Sequence, residues 1–123
     1  MKISCVLSMT AVAAVVCGVT MPVSAAPMAC SIHPPKGLSE SQMAKLAKIS
    51  RAEAEKTALA SLHSNTNASV SSAELEAEHG CLLWSFDLKI AGKTGVQEVQ
   101  VDAGDGKVLS VIHETSQQEA TER

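Results

Sequence analysis

From Leu82 to Glu114 the chain reads LLWSFDLKIAGKTGVQEVQVDAGDGKVLSVIHE, and apolar and polar residues alternate through it almost without a break. A period of two belongs to extended strands, whose successive side chains leave opposite faces, and not to helices. The run therefore dictates a sheet with one apolar and one polar face, as in antiparallel sheets that keep one side wet. Leu82, Trp84, Phe86, Leu88 and Ile90 fall on one face, opposite Leu83, Ser85, Asp87 and Lys89. Val99 and Val101 alternate with Glu98, Gln100 and Asp102, and upstream Ala73, Leu75 and Ala77 alternate with Glu74, Glu76 and Glu78. Four strands are expected, near residues 70–78, 82–90, 95–102 and 107–113. For the last strand the pattern leaves the inward face open between Leu109/Val111 and Val108/Ile112. The links His79-Gly80, AGKTG and AGDG carry glycine, as hairpin turns do. A slip of one residue would turn Trp84 and Phe86 to solvent, so register is well specified. Leu75, Trp84, Phe86, Leu88 and Val99 form the expected core.

Ahead of the strands, two capping boxes announce helices. Ser39 with Gln42 and Ser50 with Glu53 have the spacing at which each side chain satisfies the other residue's backbone donor. The first opens a short helix carrying Met43, Leu46 and Ala47. The second opens a helix from about Arg51 to Leu62 or His63, ended by Asn65 or Asn67, with Ile49 placed as a hydrophobic staple. Ala54, Ala58 and Leu62 make a narrow stripe of mostly small residues, so this helix can lie close to the sheet. The expected fold is α+β, one helix packed on a four-stranded antiparallel meander, with a short helix and an extended lead-in before it.

The amino-terminal segment MKISCVLSMTAVAAVVCGVTMPVSAAP is set apart by one lysine, an apolar stretch from Val6 to Val19, and Val23-Ser24-Ala25. This is the pattern of a secretory signal peptide, with cleavage expected after Ala25. The apolar stretch is shorter than the roughly 20 residues that span a bilayer, so no stable membrane anchor is expected. The organisation read from the chain is a signal peptide at 1–25, a proline-rich lead-in and short helix at 26–45, one domain at 46–114 and a disordered tail at 115–123. Export places the protein in the periplasm or outside the cell. Cleavage also removes Cys5 and Cys17, leaving Cys30 and Cys81, an even count that in an oxidising compartment favours a disulfide. The mature chain retains nine Lys plus Arg against thirteen Asp plus Glu. It has no basic patch of the kind nucleic acid requires.

Three segments in order, ISRAEAEKTAL, AELEAEHG and LLWSFDLKIAGKTGVQEVQVDAGDGKVLSV, resemble the PepSY domain family over about residues 46–114. Trp84 stands where the family usually carries tyrosine. The resemblance implies a helix-plus-antiparallel-sheet module of secreted and cell-envelope proteins. Some members sit in propeptides of thermolysin-like metallopeptidases, which implies a protein partner, with a secreted metallopeptidase as the candidate. The family brings no catalytic residues and no cofactor.

The residues agree with a non-catalytic reading. No H-E-x-x-H, G-x-S-x-G or P-loop occurs. His63, His79 and His113 fall at a helix end, a turn and a strand end. Cys30, His33, His79 and Cys81 are ligand types that zinc or copper(I) accepts, which makes metal binding the alternative function. Glu74, Glu76 and Glu78, with Asp87, Glu98 and Asp102 on the same wet side, suggest a solvated face or a docking surface for a basic partner. Asp102, Asp105 and Gly106 also fit a calcium loop, although Asp-Gly is turn chemistry first. If chain order is spatial order, the open edges are Val70–Glu78 and Lys107–His113, and the second, around Val111, is the better candidate for docking because Glu74, Glu76 and Glu78 on the first are charges of the kind that guard an edge.

Overall fold

The computed structural model of the chain describes residues 28–63 and 67–115. The expected signal peptide at 1–25, Asn65 and the expected tail beyond Thr115 lie outside the described residues. Helix α1 spans Glu40–Leu46 and α2 spans Arg51–Ser61. Both capping boxes close. Gln42 N donates to Ser39 Oγ (3.3 Å) while Ser39 N donates to Gln42 Oε1 (2.9 Å). Glu53 N donates to Ser50 Oγ (3.2 Å) while Ser50 N donates to Glu53 Oε2 (2.7 Å).

Strands β1 (Ala68–Glu78), β2 (Cys81–Ile90), β3 (Val96–Asp102) and β4 (Val108–Glu114) form one antiparallel sheet in the order β1-β2-β3-β4. The fold is α+β, and β1 and β4 are its edges. Register aligns Leu75 with Trp84 and Trp84 with Val101, then Ala73 with Phe86 and Phe86 with Val99. These rows lie beneath α2, whose Ala54 and Ala58 are fully buried against Phe86, Leu88, Val99 and Val101. Alanine at both positions allows the close approach. Ile49 packs on the same cluster, as a staple residue should.

A second cluster has no counterpart in the sequence pattern. Leu75, Leu82 and Ala103 pack with Ile32, Met43 and Ala47. Ile32 belongs to the proline-rich lead-in, which docks along the start of β2, where Leu82 N donates to Ile32 O (3.0 Å). Gly104 makes this passage possible, because a Cβ there would collide with the Ser31 hydroxyl and the Ile32 side chain.

Trp84 is only half-buried, not among the most buried residues as its place on the apolar face led us to expect. It bridges the two clusters at the seam between α1 and α2. Its indole N–H donates to Ile49 O (3.4 Å), which satisfies the ring's polar edge. One flank of the ring lines an open cleft of about 530 Å³ beside Met43 and Leu75. Leu83, expected on the wet face, is fully buried. Register is not the cause, since Phe86 and Leu88 on the other face are also fully buried. Leu83 instead lies between Glu76 and Asp102 across the ladder, and Asp102 is itself fully buried. Ala77, expected inward, is exposed.

Candidate functional site

The polar face of the sheet is the first place where chemistry collects. Glu74, Glu76 and Glu78 on β1, Asp87 on β2, Glu98 on β3 and Glu114 on β4 surround a shallow groove of about 280 Å³, with Ser72 and Ser85 between them. Gln100 is almost fully buried beneath it, and its Nε2 donates to Glu78 Oε2 (2.8 Å) and Glu98 Oε1 (2.7 Å). Ser85 Oγ donates a further bond to Glu98 (3.3 Å). The amide thus fixes two carboxylates that repel each other. Burial pushes the Glu76 carboxyl up to about 7, helped by a hydrogen bond with Glu74 and by the charges of Glu74, Glu78 and Glu98.

Asp102 does not share this face with solvent. It is fully buried and accepts four hydrogen bonds, from Ser31 N (2.6 Å), Ser31 Oγ (2.6 Å), Gly104 N (2.7 Å) and Asp105 N (3.3 Å). Burial alone would raise its pKa, but these donors outweigh it and hold the carboxyl below its ordinary value. The residue clamps the lead-in onto the β3–β4 turn. Its oxygens are taken up by these donors, so the calcium reading of Asp102, Asp105 and Gly106 loses its central ligand. Asp105 accepts from Lys107 N (2.9 Å), and Gly106 takes the left-handed conformation (φ 76°), both turn geometry.

Beside that clamp, Cys30 and Cys81 form a disulfide. The nearest ring nitrogen is His33 Nδ1, 3.6 Å from Cys30 Sγ and 2.9 Å from Gly80 O. The ligand atoms of Cys30, His33 and Cys81 lie within 4.8 Å of one another. His79 does not complete the four-residue set. It holds a left-handed turn conformation (φ 49°), and its Nδ1 lies 3.3 Å from Glu78 Oε1. The disulfide also occupies both sulfurs that a metal would need. His63 and His113 are exposed.

The second place of interest is the edge strand β4. Val108, Val111 and Ile112 are 36%, 49% and 45% exposed, and they are three of the five large hydrophobic residues so exposed among those described. Val111 stands opposite Val99 and so faces the helix side, while Ile112 stands opposite Glu98 on the acidic side. Both alternatives for the inward face are thus partly met, because a register shift between Gln100 and Val101 puts Val108 opposite Val101. The other edge differs. β1 carries Glu74, Glu76 and Glu78 and has α1 lying against it, so charges and a helix guard it.

None of the described helices is long and apolar enough to cross a membrane. No curated protein and no solved structure matches the chain. A family model does match, PepSY, described as the peptidase propeptide and YPEB domain, over residues 48–112. That span exceeds half of the chain and takes in α2, β1, β2, β3 and most of β4. A small-residue helix laid over the Trp84/Phe86 rows of a four-stranded meander is thus joined to a match of the sequence itself, and the chain belongs to the PepSY family.

Proposed function

We propose that this PepSY domain is a non-catalytic binding module, exported to the periplasm or beyond, that engages a protein partner along β4. A secreted metallopeptidase is the leading partner, and inhibition or regulation of it the leading outcome. The observation that carries this reading is an edge strand that, among the described residues, carries one acid, Glu114, at its end and bears Val108, Val111 and Ile112 exposed. An edge strand leaves a row of N–H and C=O groups unpaired, and an extended segment that joins it gains main-chain hydrogen bonds and side-chain contacts together. The family's presence in peptidase propeptides supports the choice of partner. The buried clamp of Asp102 and the disulfide give the edge a rigid support, which limits the ordering cost of binding.

The test is an inhibition assay with the exported protein and a thermolysin-like peptidase from the same cell. Slowed turnover without prior cleavage of the domain, lost on Val111→Lys, is expected. A lysine there adds a guarding charge of the kind natural edges use. Full peptidase activity at tens of micromolar domain, with no peptidase retained on the immobilised protein, would refute the inhibitory role.

Metal binding stays as a second reading because Cys30, His33 and Cys81 converge. It requires reduction of the disulfide and a fourth ligand other than His79. Stoichiometric zinc on the reduced protein, lost on His33→Ala, would support it, and zinc-free protein after reduction would end it.

A further inference from the structure

We propose that the segment β4 accepts is one in which basic and apolar residues alternate, with basic side chains lying on the acidic face and apolar ones on the helix side. This rests on the reading of β4 as the docking edge and specifies the chemistry of what docks there. The two faces of β4 are chemically unlike. Ile112 stands opposite Glu98, and Ser110 opposite Gln100, whereas Val111 stands opposite Val99. A strand added outside β4 inherits this alternation, since residues paired across a ladder share a face.

On the acidic side, an added residue beside Ile112 meets an apolar side chain first and carboxylates beyond it. Lysine and arginine suit that order, because their stems cover apolar surface while the charged head reaches further. Here the stem lies over Ile112, and the head comes to Glu98 and Glu114, both of which line the acidic groove. Glu98 is held in place by Gln100 and Ser85, so its carboxylate is fixed before the partner arrives. Among the described residues the charged groups lining the groove are carboxylates, and the charges of Glu74, Glu78 and Glu98 add to the burial that raises the pKa of Glu76. An incoming cation relieves that repulsion. On the helix side, Val111, 49% exposed, calls for an apolar neighbour. A second copy of the chain is disfavoured as the occupant, because it would bring its own Glu114 toward a face already rich in like charge.

Three labelled peptides of equal length separate the possibilities by fluorescence anisotropy with the exported protein. One alternates lysine and valine, one alternates glutamate and valine, and one holds the lysines and valines in separate blocks. The alternating lysine peptide is expected to bind at least tenfold more tightly than either control, and to lose most of that margin in high salt. Glu98→Gln with Glu114→Gln should erase the preference for lysine over glutamate while the domain still melts as one unit. The high-salt titration of the unmodified protein asks the same question without any substitution. Equal binding of the alternating and blocked lysine peptides would overturn the proposal in favour of diffuse charge attraction. Binding of none of the three, with peptidase inhibition intact, would also overturn it while leaving β4 as the docking edge.

Discussion

Phe86 and Glu76 show how the two faces of one sheet contribute with opposite sign. Phe86 is fully buried between Ala73 and Val99 under α2. Its truncation to alanine removes a large apolar side chain and leaves a cavity, so Phe86→Ala is expected to cost about 3–5 kcal/mol in urea unfolding. A loss below about 1 kcal/mol would mean that the core is not where the burial places it. Glu76 works the other way. Its carboxyl is raised from 4.5 to about 7 in the fold, so the folded state holds a proton that the unfolded chain has released. The stability this gives is complete below pH 4.5 and is lost as pH rises through about 7. Unfolding experiments between those values should show stability falling with pH, and Glu76→Gln should flatten that part of the profile. A flat profile in the unmodified protein would contradict the crowding of carboxylates on this face. Asp102, with its lowered pKa, has the opposite slope at lower pH, stabilising above 3.8 and losing that contribution in stronger acid.

At the scale of elements, the alternation of β2 and β3 and the two capping boxes were legible because they are local. Each is written within a few residues and needs no partner to be recognised. What the sequence does not show locally depends on contacts between distant parts of the chain. The lead-in has no period, and its prolines mark only what it cannot be, so nothing in it announced that Ile32 would enter a core with Leu82 and Ala103. For the same reason Asp102 read as one more acid in an alternating strand. Its donors come from Ser31, 71 residues away, and from the following turn. Trp84 read as core by parity, whereas its half-burial follows from the seam between two helices whose spacing no strand pattern encodes. The disulfide is the covalent part of the lead-in's attachment. It joins residues 51 positions apart, and in the chain-entropy model such a link stabilises by up to about 4 kcal/mol. Replacing Cys30 and Cys81 by serine should lower the unfolding free energy by an amount up to that figure. It should also raise exchange in residues 28–33 before the sheet loosens. Unchanged stability in the double variant would show that Asp102 and Ile32 hold the lead-in without it.

Taken whole, the molecule sets a guarded edge against an open one. β1 is screened by three glutamates and α1, the far end is clamped by Asp102 and the disulfide, and among the described residues β4 is the outer strand on the other side, with Val108, Val111 and Ile112 exposed. Such an asymmetry is what the proposed docking of another chain along β4 requires. Hydrogen exchange addresses that claim most directly, because amides on an open edge exchange readily until a strand pairs with them. If the proposed metallopeptidase partner docks along β4, adding it to the purified protein should slow exchange of amides within residues 108–114 at least tenfold, while those of residues 68–78 stay as they were. Unaltered exchange across 108–114 in a complex that forms, or protection confined to β1 and α1, would contradict the account.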